Sequence, residues 1–169
     1  MLQDHYRTGL GQDSHAFLPP SVDKLCRIGG IVFPDVPGLA ADSDGDPVLH
    51  AICNAISSIT HIPILGGCAQ AMCLEEQITD SSAYLEVALS HLSPREILHV
   101  ALCLEGKRPR MQSSAGKIRQ NVAYLLAVPI EYVGLTITSG DGLSAFGRGE
   151  GIQCFCSMTV RERARDSLK

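Results

Sequence analysis

The pair Asp46-Pro47 divides this chain more sharply than any other two neighbouring residues. Upstream, Asp42, Asp44 and Asp46 alternate with Ser43 and Gly45, and downstream an apolar helical period begins with Val48, Leu49, Ile52, Ala55, Ile56 and Ile59. Proline loses nothing at the first helical position, where its missing N–H would have no partner, and an aspartate just before it caps the free N–H groups of the first turn. The pattern predicts a helix over 47–60 with Asp46 as its N-cap. His50 then sits in the first full turn, beside a run of carboxylates. Earlier in the chain, Asp13 and His15 stand two apart in a strand-like run, so both side chains leave the same face of a sheet. One carboxylate and two imidazoles, from Asp13, His15 and His50, give three protein ligands with a fourth position open. That is the pattern of a catalytic zinc site rather than a structural one.

The remaining composition narrows the class. A chain of 169 residues fits one domain, 1–169, with the charged stretch 161–169 expected as a frayed tail. Apolar residues make up 45% and tryptophan is absent, so the core must be aliphatic. A net charge of −4 with no long basic run argues against nucleic acid as a partner. No apolar run approaches the roughly 20 residues needed to span a bilayer. The N-terminus lacks the charged-then-apolar design of a secretory signal, so the expected compartment is the cytoplasm, or the plastid stroma if a transit peptide has been removed. The cysteines number seven, an odd count, and form no C-x-x-C pair. They read as free thiols in a reducing compartment.

Taken in order, 5–17 reads as a strand ending in the D-x-H pair, and Gly29-Gly30 between short apolar pieces predicts a hairpin over 25–33. A loop over 34–46 follows, then the 47–60 helix. Residues 62–79 are broken by Pro63, Gly66 and Gly67, and 68–77 reads either as a short helix or as a mobile cover. Asp80 or Ser81 caps a helix to about Leu92. Residues 97–104 fit a buried strand, Ser113 or Ser114 starts a helix to about Ala127, and strands follow at 131–139 and 151–160. Strands alternating with helices predict an α+β fold. The expected form is a single-domain two-layer sandwich with a mixed β-sheet and three helices on one face.

Two further loops carry chemistry. Lys107, Arg108 and Arg110 suit phosphate oxygens. The glycines of 140–151, with Thr138 and Ser139, free backbone N–H groups that can wrap phosphates, and Asp141 offers a carboxylate for a second, harder cation. Metal ligands, phosphate donors and a second carboxylate on one sheet point to phosphoryl chemistry on a diphosphate.

The segments G-Q-D-S-H-A-F at 11–17, I-G-G-I at 28–31, S-D-G-D-P-V-L-H-A at 43–51, D-S at 80–81, R-P-R-M at 108–111 and F-G-R-G-E-G-I at 146–152 occur in series. Together they resemble the 2-C-methyl-D-erythritol 2,4-cyclodiphosphate synthase family of the non-mevalonate (MEP) isoprenoid pathway, along nearly the whole chain. The resemblance implies a homotrimer with active sites between adjacent subunits. It implies Zn2+ or another divalent cation on Asp13, His15 and His50, and Mg2+ or Mn2+ held with the substrate diphosphate by Asp141. The implied substrate is 4-diphosphocytidyl-2-C-methyl-D-erythritol 2-phosphate, cyclised with release of CMP. The implied catalytic positions are Asp42 and Ser139. Substrate contacts are implied for Asp13, His15, Asp42 and Ser43 near the metal and for Ile64, Leu65 and Gly66 near the erythritol. A cytidine pocket from the neighbouring subunit is implied at Gly106, Lys107, Arg108, Pro109, Arg110, Met111 and Gln112 with Thr138, Ser139, Gly140 and Asp141. Ala145 and Arg148 complete the set, and Arg148 and Glu150 are placed near the trimer axis.

The chain departs from that family in three places. Asp42 stands where the family has a histidine credited with stabilising the transition state. Ile64-Leu65-Gly66 and 67–76 replace the family's G-D-I-G and F-P-D-T-D-like blocks. Gly142 replaces a lysine, beside an acid one methylene shorter than the usual glutamate. Two other functions fit the same ligands: a zinc-dependent phosphohydrolase on a nucleotide-diphosphate substrate, and a non-catalytic trimeric nucleotide-binding protein.

Overall fold

Strand β1, His5–Ala16, runs antiparallel to β6, Gly151–Glu162, with Asp13 opposite Cys154 and His15 opposite Ile152. In the computed structural model, which describes residues 4–163, β6 also pairs antiparallel with β4, Glu96–Glu105. Strand β4 in turn pairs parallel with β5, Val133–Thr138. The mixed sheet has the order β1-β6-β4-β5, and β2, Leu25–Ile28, forms a separate hairpin with β3, Ile31–Pro37.

The period of two along the strands decides which face is buried. Val100, Leu102 and Leu104 of β4 share one face with the even-numbered residues Ile152 to Val160 of β6, and all of them are buried. Register places Gly9, Gly11, Asp13 and His15 on that same face. The helices cover it: α1, Pro47–Thr60, lies over β1 and β6; α3, Ser81–Leu92, lies against α1; α4, Ala115–Leu125, lies against β5. The opposite face is open in the protomer, where Tyr6, Leu10 and Phe155 are exposed.

The N-terminus of α1 shows why the chain folds this way locally. Asp46 is fully buried, and its Oδ1 accepts from the N–H groups of Val48 and Leu49 at 3.0 and 3.2 Å. The same carboxylate accepts from Gly29 N–H at 2.8 Å and Gly30 N–H at 2.6 Å, so it ties the β2–β3 turn to the helix. Gly29 and Gly30 both have positive φ, at 60° and 77°. A side chain at Gly29 would meet Ile118 of α4, and one at Gly30 would meet Asn121. Burial pushes the Asp46 carboxyl pKa up, and the N–H groups of Gly30, Gly29 and Leu49 pull against it. Val48, Leu49, Ile52, Cys53, Ala55, Ile56 and Ile59 bury the apolar face of α1. Each large aliphatic side chain contributes about 1.5–3 kcal/mol by burial.

Five expectations shift. Four helices, not three, are found among the described residues. The fourth is α2, Gly67–Glu75, in the stretch that read as either helix or cover, and it buries only Ala69. Strand β3 runs on to Pro37, so the long loop starts later than residue 34. Helix α4 stops at Leu125, short of Ala127, which takes a left-handed φ of 52°. Residues 130–132 form a turn of 3-10 helix that precedes β5. Strand β6 includes Arg161 and Glu162, which were expected in the tail. They pair with Tyr6 and His5 of β1, and Arg161 bonds Glu96 at 2.6 Å. The rest of that tail, 164–169, lies outside the described residues.

Candidate metal centre and active site

Two separate elements deliver three donor atoms to one point. Strand β1 brings Asp13 and His15 on its helix-facing side, and the first turn of α1 brings His50 down onto them. Asp13 Oδ2 lies 2.8 Å from His15 Nε2 and 3.0 Å from His50 Nδ1, and the two ring nitrogens are 3.2 Å apart. Tetrahedral zinc bonds of about 2.0–2.2 Å set ligand atoms about 3.3 Å from one another. The observed triangle is therefore a few tenths of an ångström from what an ion requires, and its donor set is that of a catalytic site. Burial pushes the Asp13 carboxyl pKa up, but the hydrogen bonds and charge of His15 and His50 outweigh that and hold it well below the ordinary carboxylate range. It is thus in the form a cation needs.

The long loop is pinned where it can complete this site. Ala40 N–H donates to Ala16 O and Leu18 N–H to Gly38 O, while Phe17 and Leu39 form an isolated antiparallel bridge. Lys24 Nζ donates to the carbonyls of Ala41 and Ser43, on either side of Asp42. The result is an open cavity of about 320 Å³ above the three donors. Its walls include Asp42, Ser43, Leu65, Gly66, Gln70, Cys73 and Tyr84.

Of the expected substrate contacts, Asp42, Ser43, Leu65 and Gly66 therefore reach this cavity. Ile64 does not: its side chain is 1% exposed and belongs to the core. Met111 is likewise buried at 2% and offers no side chain to a ligand. Pro109 is buried too. The rest of the set gathers elsewhere in the protomer. Lys107, Ser139, Asp141 and Arg148 line a second cavity of about 360 Å³, together with Gly142 and Gly147. Ala145 lines a third, smaller one of about 140 Å³ that includes His15. Asp141 takes a positive φ of 46°, and Ser139 Oγ donates to its carboxylate at 2.8 Å. Gly106 is buried, with its N–H donating to Thr138 O. Arg110, Gln112 and Thr138 are exposed, and Gly140 is half-buried. Arg108 is engaged already, with its guanidinium 4.4 Å above the Phe17 ring and its Nε donating to Gly149 O. Arg148 is exposed and bonds Glu150 at 2.8 Å.

Within one chain, Asp141 is not brought to the Asp13, His15 and His50 cluster, which stands alone among the described residues as a candidate group of metal ligands. The sequence reasoning missed Gln70, Cys73 and Tyr84 as cavity residues; it offered Ser81 only as an alternative helix cap, a place that Asp80 takes, and gave Asp44 no part in the site. Ser81 and Tyr84 are three apart on α3, on one helix face, but that spacing does not show that the face meets His50.

A sequence model of the YgbB family matches residues 6–161. Over 161 residues the chain is 48% identical to the 2-C-methyl-D-erythritol 2,4-cyclodiphosphate synthase of Chlamydia trachomatis (serovar A), covering 95% of this chain and 90% of that protein. Over 158 residues it is 50% identical to the synthase of the same name from Chlamydia felis, covering 93% and 90%. Among solved structures, the bifunctional IspDF of Campylobacter jejuni superposes with a TM-score of 0.85 at 21% identity, over 96% of this chain and 44% of that one. The Plasmodium vivax 2C-methyl-D-erythritol 2,4-cyclodiphosphate synthase gives 0.78 at 22% identity, over 95% and 100%. These last two establish the fold, and the match from residue 6 to residue 161, with half the residues shared with the nearer sequences, makes this chain a member of the YgbB family.

Proposed function

We propose that this chain converts 4-diphosphocytidyl-2-C-methyl-D-erythritol 2-phosphate into 2-C-methyl-D-erythritol 2,4-cyclodiphosphate and CMP. The observation that carries the reading is the convergence of Asp13, His15 and His50 donor atoms within 4.8 Å of one another, in a chain nearly half identical to synthases of that name. In the reaction an oxygen of the 2-phosphate attacks the β-phosphorus. A new P–O–P bond closes the ring, the bond from the β-phosphorus to the bridging oxygen of the nucleotide breaks, and CMP leaves with that oxygen.

Nucleophile and electrophile belong to one molecule, so the protein's work is orientation, which is worth up to about 7–11 kcal/mol. A divalent cation at Asp13, His15 and His50, zinc by donor chemistry, and a magnesium or manganese ion beside Asp141 supply neutralisation of the crowded phosphate charge. Asp13, His15 and His50 fix where the diphosphate lies. Lys107 lines the Asp141 cavity, where its ammonium group can donate to phosphate oxygens, whereas most N–H groups of the 140–149 loop are bonded within the loop itself. Leu65, with Gly66 and Ala69, gives the cavity an apolar wall suited to the methyl-erythritol carbon skeleton. Asp42, exposed at the mouth, is placed to hold a water or a cation rather than to donate to phosphate.

A trimer is part of this proposal. The sheet face bearing Tyr6, Leu10 and Phe155 is apolar and open, and the Asp141 cavity lies apart from the Asp13 cavity in one chain. Both features are accounted for if subunits associate through the sheet and each site takes one cavity from each of two neighbours. The deciding experiment incubates the purified protein with the diphosphocytidyl substrate, with and without chelator, and identifies the products. Cyclic diphosphate plus CMP, lost on chelation, is expected. Linear hydrolysis products, or tight nucleotide binding without turnover, would overturn the proposal.

A further inference from the structure

His50 has two ring nitrogens with opposed surroundings. Nδ1 lies 3.0 Å from Asp13 Oδ2, at the metal site. Nε2 points the other way, 2.9 Å from Ser81 Oγ and 3.3 Å from Ser43 Oγ. A neutral imidazole carries one N–H, and only the nitrogen without it can hold a cation. Asp13 by itself favours the wrong choice, since its carboxylate can accept a proton-bearing Nδ1–H and close the site to metal.

The opposite pull comes from Ser81. Its hydroxyl touches a carboxylate oxygen of Asp44 in a short hydrogen bond. An ionised carboxylate only accepts, so the Ser81 hydrogen is committed to Asp44, and the lone pairs of Oγ are left to accept from His50 Nε2–H. Asp44 cannot turn away, because it also accepts the backbone N–H groups of Asp46 at 3.2 Å and Ser81 at 3.3 Å, and its own N–H donates to Thr79 O. Ser81 is fully buried as the first residue of α3, so water does not substitute for it.

We propose that Ser81, oriented by Asp44, is a positioning residue that selects the Nε2–H tautomer of His50 and so keeps Nδ1 open for a divalent cation. The proposal rests on the reading of Asp13, His15 and His50 as the metal site. A partner of this kind outside the ligand sphere commonly governs metal affinity by a factor of about 10–100.

The test is zinc affinity, measured by chelator competition on the full-length protein, for the wild type, Ser81→Ala, Asp44→Asn and His50→Ala. Thermal melts of the metal-free proteins are recorded alongside. Ser81→Ala is expected to weaken zinc binding by about 10–100-fold with little change in the metal-free melt. Asp44→Asn, which preserves volume, is expected to weaken it in the same direction, because an amide no longer obliges the hydroxyl to donate. Should Ser81→Ala lower the melt while folded protein binds zinc as the wild type does, the residue is merely structural and the proposal falls. Wild-type zinc affinity in Asp44→Asn would sink the part assigned to Asp44, even were Ser81→Ala too unstable to measure. Wild-type protein that binds no zinc, or His50→Ala that binds it fully, overturns the metal-site reading itself and is a separate result.

Discussion

A Cβ atom on Gly11 would stand 2.0 Å from the carbonyl oxygen of Ala51 and 2.4 Å from the Ala55 nitrogen. Strand β1 and helix α1 therefore meet backbone to backbone at this point. Asn54 reinforces the contact by donating its side-chain N–H to Gln12 O at 2.9 Å. Gly11 is two residues before Asp13 and Ala51 is one after His50, so this contact sets the spacing of the three donors. Gly11→Ala must push α1 off the strand. We expect a loss of about 1–3 kcal/mol or more in urea unfolding, the usual range for overpacking, together with weaker zinc binding. Gly116→Ala provides the contrast, because nothing lies within 4 Å of its would-be side chain. In an exposed helix that change should stabilise the chain by about 0.5–1 kcal/mol.

Asp46 offers a second test of how the site is held. Its carboxylate serves four N–H groups, two in the hairpin turn and two in α1. Asp46→Asn keeps the shape but turns an NH₂ towards one of those donors. An unpaired buried polar group costs about 1–3 kcal/mol. We expect a lower urea midpoint by that amount and faster hydrogen exchange at Gly29 and Gly30. Unchanged exchange at both amides would show that the carboxylate does not join the turn to the helix.

What could be read in the chain and what could not differ for physical reasons. The α1 helix was legible to the residue because its start is local chemistry, with Asp46, Pro47 and an unbroken apolar period. The Asp13, His15 and His50 cluster was legible because alternation along a strand and one helical turn fix side-chain direction. Helix α2 was not, since only Ala69 is buried and its sequence carries no amphipathic face. The family resemblance grouped Ile64 and Met111 with the substrate contacts, but packing against the core took both side chains out of reach. Ser81 escaped because its importance lies in what it touches across 31 residues of sequence, which no spacing rule reports.

Asp42 is exposed on the cavity wall at the position where the family carries a histidine. The local hydrogen bond is made by Cys73 Sγ, donating to Asp42 O at 3.4 Å, and the carboxylate acts on its neighbours only through its charge on Lys24. Asp42→His is therefore expected to fold as the wild type does and to leave kcat equal or raised, since an imidazole can donate to phosphate where an ionised carboxylate cannot. A drop in kcat of tenfold or more, with the melt unchanged, would assign the acid an essential part of its own.

The cysteines allow the open sheet face to be tested without a crystal. Burial pushes the thiols of Cys26, Cys53 and Cys156 up to about 12 and that of Cys154 well above its ordinary value. Thiolate is the reactive form, so these four should resist a thiol reagent until the protein unfolds. Cys68 and Cys103 are exposed in the protomer. Cys68 lies on α2, whereas Cys103 lies on β4 directly opposite Phe155, on the sheet face proposed to join subunits. Labelling mapped by mass spectrometry should therefore find Cys68 modified quickly and Cys103 protected at concentrations where the protein is assembled. Cys103 should become reactive on dilution into monomer. Rapid labelling of Cys103 in a protein that sediments as a trimer would mean that the subunits meet through some other surface.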